Sequence, residues 1–246
     1  MRIDAALVAR GLARSRGQAR DVILAGLVRV NGDVVRKASF PVRETDRLEA
    51  HQDPWVSRAA HKLVGALDAT GLSVAGATAV DAGASTGGFT QVLLAKGAQH
   101  VHAVDVGHGQ LSPLIRDDER VTNHEGLNLR SLTLNDVGGV PVDIVVADVS
   151  FISLRLLVGP LRAVARQGGD ALLMVKPQFE VGRGGLDSRG VVADERRARE
   201  TVDAVAQAAE AAGWRERWRG ESPLPGEHGN HEFFLHLVAG PLGGAR

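Results

Sequence analysis

The chain has 246 residues, 29 basic and 29 acidic side chains, 44% hydrophobic residues and no cysteine. That composition supports a packed core and excludes wholesale disorder; without cysteine there is no disulfide framework, thiolate zinc site, iron–sulfur cluster or cysteine nucleophile. No apolar run approaches the roughly 18 residues that span a bilayer and the N-terminus lacks a signal-peptide core, so a cytoplasmic setting is expected.

The formal charge of zero conceals an uneven distribution. Residues 1–37 carry eight basic side chains (Arg2, Arg10, Arg14, Arg16, Arg20, Arg29, Arg36, Lys37) against Asp4, Asp21 and Asp33, a net of +5, which leaves −5 for the rest. Such asymmetry suggests a basic binding module joined to a neutral or acidic domain.

Ile3, Leu7, Val8 and Leu12 have helical spacing within residues 3–13. Ser15 can cap a second helix, about Arg16–Ala25, that buries Ala19, Val22 and Ile23, with Gly26 as its left-handed C′ residue. The period then changes: Val28 and Val30 alternate, Asn31-Gly32 is a type I′ hairpin signal, and Val34-Val35 begins the return strand. Arg14, Arg16 and Arg20 form a basic stripe beside Lys37, which reads as either a solvated face or an RNA-backbone surface. The string LARSRGQARDVILAGLVRVNGDVV, residues 12–35, resembles the S-four-type RNA-binding module named after a ribosomal small-subunit protein. With 4% aromatic residues and no tyrosine, base stacking is disfavoured as its main mode.

Residues 51–57 read as a linker, in which Pro54 biases Asp53 towards an extended conformation and Trp55 can anchor the segment. Ser57 can cap a helix from Arg58 to about Leu67. From Thr78 apolar strands alternate with helical segments: Thr78–Asp81, Val101–Asp105, Arg120–His124, Val142–Asp148, Asp170–Lys176 and Glu232–Val238. That is the pattern of an α/β doubly wound, Rossmann-like parallel sheet, whose ligands bind at the carboxyl ends of its strands. Asp81, Asp105, Asp148 and Lys176 should gather there.

The first of these strands leads into Asp81-Ala82-Gly83-Ala84-Ser85-Thr86-Gly87-Gly88-Phe89. It lacks the lysine of a phosphate loop and the spacing of a dinucleotide fingerprint. Asp81, two residues before the first glycine, would repel a pyrophosphate but can bind an amine or an ordered water, and Asp105 can accept from a ribose diol. A nucleoside carrying an amino acid fits both, which makes S-adenosyl-L-methionine the first choice of cofactor.

Asp148, in Val145-Val146-Ala147-Asp148-Val149-Ser150-Phe151, stands where amino-group methyltransferases carry Asp/Asn-Pro-Pro-aromatic, and the prolines are missing. The absence of cysteine excludes pyrimidine C5 methylation through a cysteine adduct. A hydroxyl acceptor remains. A ribose 2′-hydroxyl must be oriented and deprotonated during transfer; a lysine can do this if burial and a neighbouring cation lower its pKa, and Lys62 with Lys176 can supply such a pair. Asp148 and Glu232 would hold their geometry. For any one of these four alone, a surface salt bridge is the default reading.

Residues 55–67 (WVSRAAHKLVGAL), 81–94 (DAGASTGGFTQVLL), 105–111 (DVGHGQL), 146–154 (VADVSFISL), 174–182 (MVKPQFEVG) and 223–234 (PLPGEHGNHEFF) resemble the TlyA/hemolysin-A family of ribosomal-RNA 2′-O-methyltransferases over almost the whole chain. The resemblance implies an S-four-type domain (1–50), a linker (51–57), a methyltransferase domain (58–240) and a tail (241–246). It implies a catalytic Lys62-Asp148-Lys176-Glu232 tetrad, a cytidine acceptor in ribosomal subunits, and RNA contacts at Arg2, Arg14, Arg16 and Lys37, to which the stripe adds Arg20. The implied cofactor contacts run from Asp81 and Gly83 through Phe89, with Asp105, Val106 and Asn128. The linker departs from the family's frequent Arg-x-Trp-Val, reading Asp53-Pro54-Trp55-Val56. Both ends look short, which in this family leans towards 23S rather than 16S RNA. A non-catalytic ribosome-assembly factor is the alternative; an NAD-type oxidoreductase conflicts with Asp81.

The nine histidines include no helical ligand pair: His100 and His102 alternate on a strand and His228 and His231 flank a loop, so no metal is expected. The glycine-rich 182–190 segment reads as a flexible loop, with arginines that touch RNA or with no role beyond mobility. Residues 193–212 form a helix with Val202 and Val205 inward.

Overall fold

The computed structural model describes residues 1–13, 15–51, 53–192, 194–226 and 229–241, with only the backbone of Arg183. Two compact units emerge, residues 1–61 and 62–246.

The first unit contains α1 (Ile3–Ala9), α2 (Arg16–Leu24), β1 (Val28–Val30), β2 (Asp33–Val34) and β3 (Leu48–Ala50). α1 stops short of the expected residue 13 because Gly11 takes a left-handed φ of 72° and Leu12 N–H returns to the Leu7 carbonyl, a Schellman closure. α2 opens on Ser15, whose hydroxyl accepts from Gln18 N–H, and closes on Gly26 at φ 75°, as expected. Asn31 and Gly32 both have positive φ, so the hairpin takes the turn its Asn-Gly dipeptide specifies. β3, which periodicity did not indicate, pairs with the free side of β1 to give the order β2-β1-β3. Ile3, Leu7, Ala19, Ile23 and Val28 are fully buried between helices and sheet. Residues 53–61 are fastened to this unit. Asp53 accepts from Trp55 N–H and lies 2.8 Å from His61, while Arg58 pairs with Asp21.

The second unit opens with α3 (Ala59–Thr70), whose first turn straddles the division. There follow β4 (Thr78–Ala82), α4 (Gly88–Ala95), β5 (His100–Asp105), α5 (Pro113–Arg116), β6 (Val121–Glu125), β7 (Val142–Ala147), α6 (Val158–Val164), β8 (Ala165–Val175), α7 (Glu195–Ala211), β9 (Trp214–Glu221) and β10 (Phe233–Ala239). The sheet order is β6-β5-β4-β7-β8-β10-β9; the first five run parallel, and β10 is antiparallel to both β8 and β9. This is the expected doubly wound class with two corrections. β8 begins at Ala165, earlier than residue 170, and β9 was absent from the expected strands because its Trp-Arg-Glu-Arg-Trp-Arg-Gly-Glu sequence has the composition of a solvated segment. β4, β7 and β8 are buried on both faces, which is why they read as continuous apolar runs. In α7, Val202 and Val205 face the core, and Asp194 caps its first turn.

One charge cluster organises the first unit. Asp4 is fully buried, and Arg2, Arg16 and Arg20 reach its Oδ2 at 3.0, 3.3 and 3.6 Å while remaining about half exposed themselves. The hydrogen bond from Arg2, with Arg16 behind it, outweighs burial and holds the carboxyl at about 2. A lowered carboxyl contributes stability above its ordinary 3.8 and loses it as pH falls through about 2. Asp4→Asn is therefore expected to cost the first unit about 1–2 kcal/mol near neutral pH and little near pH 2. Thermal melts of both proteins across that range check this, and a pH-independent difference would contradict it.

Candidate functional site

The carboxyl ends of β4, β5 and β7 surround a cleft of about 540 Å³ whose lining includes Gly83, Ser85, Asp105, Val106, Asn128, Asp148, Ser150 and Phe151. Gly83 is required for a close crossing: its φ is 85°, and a Cβ there would stand 2.8 Å from the Asp148 carbonyl oxygen. Asp105 ties the cleft's two loops together, accepting from Ser85 N–H at 2.8 Å and Gly107 N–H at 2.7 Å. Asn128 accepts from Arg130 N–H and so caps the short 3-10 turn 129–131.

Asp81 lies deeper than its sequence position suggested. It is fully buried on β4; Thr90 donates to Oδ2 at 2.7 Å, and Oδ1 is inaccessible with no hydrogen-bond partner among the described residues. Burial pushes its carboxyl up to about 7, against the opposing Thr90 bonds. An unsatisfied buried acceptor beneath a glycine turn, with the Asp105 loop beside it, fits a ligand bearing an amine and a ribose. The expected contacts are not all on the cleft wall. Ala84 lines a small adjoining recess, and the Thr86 carbonyl accepts from Ser112 N–H. Gly87 is left-handed where a Cβ would meet Leu111, and Gly88 and Phe89 are buried in α4. The Phe89 ring packs into the core, stacking on Phe234 at 6.3 Å, as an apolar side chain on the inward face of α4 must. Gln110 and the apolar Leu127, Val149 and Leu157 also line the cleft. The apolar ones were missed because a cleft wall and a core face share one pattern.

The four charged residues come together as two ion pairs. Lys62, on α3, lies 2.6 Å from Glu232 Oε2 and 3.9 Å from the sulfur of Met174 on β8; lysine and glutamate are 5% and 2% exposed. Lys176 Nζ lies 2.6 Å from Asp148 Oδ1, too bent for a hydrogen bond, and donates to Ser150 Oγ at 2.9 Å. The register that pairs Phe233 with Val175 makes Glu232 and Lys176 emerge next to each other from β10 and β8. Each lysine is thus paired with one of the two carboxylates expected to hold its geometry. Two close approaches seat Glu232: a Cβ on Gly65 of α3 would stand 2.6 Å from Pro223, and one on Gly226 would stand 2.2 Å from Glu232 Oε1.

In the first unit, Arg2, Arg16 and Arg20 converge on Asp4, and exposed Lys37 lies in the turn whose Ala38 and Phe40 carbonyls accept from Asp4 and Ile3 N–H. Arg14 lies outside the described residues, as does His228. In the 182–190 loop, Arg189 is held by Asp187. His102 contacts both His100 and His124, and burial pushes it down to about 4. No group of three metal-ligating side chains suited to an ion, and no helix long and apolar enough to cross a membrane, occurs among the described residues.

Residues 55–239 match the FtsJ-like methyltransferase family, and residues 1–48 match the S4 domain. The 16S/23S rRNA (cytidine-2′-O)-methyltransferase TlyA of Mycobacterium tuberculosis is 51% identical over 96% of this chain and 89% of its own length. The 23S rRNA (cytidine-2′-O)-methyltransferase TlyA of Campylobacter jejuni is 32% identical over 97% of this chain and 99% of its own. A solved structure from Streptococcus thermophilus that carries the hemolysin name superposes with a TM-score of 0.76 at 36% identity, covering 98% of this chain and 89% of that one. A methyltransferase from Mesorhizobium loti shares the fold at 16% identity, with a TM-score of 0.55 over 72% of this chain and 97% of that one.

Gly226→Ala is expected to drive a methyl group into Glu232, push it off Lys62 and cost on the order of 1–3 kcal/mol. An unchanged melting temperature would contradict that packing. Asp81 titrates in the opposite sense to Asp4: its raised carboxyl keeps its proton in the fold, so stability falls as pH rises from the ordinary 3.8 to about 7. Asp81→Asn should melt higher than the parent above pH 7, by a few kcal/mol at most, and alike near pH 4; equal melting at both would place water or an ion on Oδ1.

Proposed function

Because the chain belongs to the FtsJ-like methyltransferase family, in its TlyA/hemolysin-A branch, we propose that it transfers a methyl group from S-adenosyl-L-methionine to a cytidine ribose 2′-hydroxyl in ribosomal RNA. The observation that carries this reading is the pair of lysine–carboxylate contacts beside the cleft. A 2′-hydroxyl is a weak nucleophile, and Lys176, placed at the cleft by Asp148 and Ser150, is suited to take its proton. Bound in the cleft, the cofactor supplies an electrophilic methyl group on a positively charged sulfur.

The residues of the chain do the remainder. The Asp105 loop offers acceptors for the cofactor's ribose, buried Asp81 lies beneath the glycine turn that would face the cofactor's amine, and the glycine crossing at Gly83 lets backbone approach it. Lys176 enters the step as the neutral amine, having first released a proton to water; its Nζ then receives the hydroxyl proton as the 2′-oxygen gains the methyl, and Asp148 neutralises the resulting ammonium. Lys62 and Glu232 form a second, more deeply buried pair that holds the adjoining strand end and orients the acceptor. Displacement would need the acceptor oxygen opposite the leaving sulfur across the methyl carbon, with Lys176 Nζ to the side within hydrogen-bond reach of the hydroxyl proton, which favours groups fixed on strand ends over groups on free loops. Arg2, Arg14, Arg16, Arg20 and Lys37 serve as the electrostatic contacts to RNA, through phosphates and shape. A cytoplasmic site of action matches that substrate.

The test supplies methyl-labelled cofactor with 50S subunits, 30S subunits and naked RNA, and locates the label by nucleoside mass spectrometry. Label is expected on 2′-O-methylcytidine, with 23S RNA the first acceptor. Lys176→Ala should lower the rate at least about 100-fold at unchanged cofactor affinity. Label on a base would overturn the ribose chemistry, and RNA binding without transfer would favour a non-catalytic assembly factor.

A further inference from the structure

Lysine's four-carbon stem is flexible, and an ion pair fixes its distance better than its direction. The Asp148 contact to Lys176 is of this kind, 2.6 Å long but bent; the aligned hydrogen bond runs to Ser150 Oγ at 2.9 Å. A lysine that is to accept a proton must present a neutral amine, which has two N–H groups and one lone pair. With one N–H donated to Ser150, the second N–H and the lone pair share the two directions that remain, and the nearby Asp148 carboxylate draws the N–H to its side. We propose that Ser150 is a positioning residue for Lys176, aiming its nitrogen at the acceptor hydroxyl, and this rests on the methyltransferase reading above.

The surroundings of Ser150 support a dedicated placement. Phe151, the next residue, has a left-handed φ of 66°, a backbone conformation that non-glycine residues rarely adopt. The loop is then stitched to the segment following Lys176 by contacts that do not involve Ser150. Glu180 accepts from Ser153 Oγ at 2.5 Å and Leu154 N–H at 2.7 Å, and the rings of Phe151 and Phe179 lie 5.2 Å apart. Removing the Ser150 hydroxyl therefore leaves the loop in position and deletes only the directional contact. Ser150 itself is exposed and lines the cleft, so a hydroxyl there has no packing role to lose.

The experiment compares wild type, Ser150→Ala, Ser150→Thr and Lys176→Ala for kcat, KM for RNA, cofactor Kd and melting temperature. Ser150→Ala is expected to lower kcat by about 10- to 100-fold, with KM, cofactor Kd and melting temperature within about twofold of wild type. Ser150→Thr, which keeps a hydroxyl, should recover most of the rate. If wild type and Lys176→Ala differ strongly while Ser150→Ala matches wild type, the positioning role is overturned and the methyltransferase reading stands. A Ser150→Ala defect in cofactor Kd, or one that Ser150→Thr does not repair, likewise overturns it. Wild type that transfers no label overturns the methyltransferase reading itself.

Discussion

Charge withdrawn from water at the end of a sheet is the constraint around which the second unit is arranged. An isolated buried ammonium or carboxylate is costly, so each must arrive with its counter-ion. Lys62 comes from a helix, Asp148 and Lys176 from parallel strand ends, and Glu232 from the start of an antiparallel strand. Only a fold that brings these four segments to one edge of one cleft can pair them. The antiparallel β10, inserted beside β8, meets this requirement by returning Glu232 to the end where Lys176 emerges. The glycines at 65 and 226 serve the same end, by letting Pro223 close onto α3 and the Gly226 backbone pass the Glu232 carboxylate.

Two aspartates show how environment sets the behaviour of one residue type. Asp4 and Asp81 are both fully buried, yet one carboxyl is held low and the other pushed up. Three guanidinium groups surround Asp4, whereas Asp81 has only the hydroxyl and backbone amide of Thr90 against burial and the like charges of Asp148 and Asp105. The first arrangement is complete within the protein. The second leaves an acceptor unused, as a binding site awaiting a ligand would.

Most strands of the second unit were legible because those buried on both faces read as apolar runs, and the α2 boundaries followed from Ser15 and Gly26. Asp105, Asp148 and Lys176 were placed by standing at the ends of such runs. What escaped was decided by tertiary partners. β3 is three residues long and exists through β1; β9 carries alternating charge and exists through β10. The Phe89 ring, at the end of the glycine loop, is turned by its helix towards Phe234. The deep burial of Asp81 depends on Thr90 and on strands at either side, neither of which spacing along the chain reveals. Ser150 went unremarked as a partner of Lys176 because the two are 26 residues apart and meet only through strand order.

The sequence of β9 that concealed it has a use once the strand is seen at the margin of the sheet. A margin of this kind exposes unpaired amide and carbonyl groups to any other extended chain. Here Arg215, Glu216, Arg217, Arg219 and Glu221 crowd that margin, and Arg219 is engaged by both Glu216 and Asp203. A second copy laying a strand alongside would have to strip water from these charges and set like against like. The residues that hid the strand from prediction are thus suited to keep the sheet from growing beyond seven strands by recruiting its neighbours.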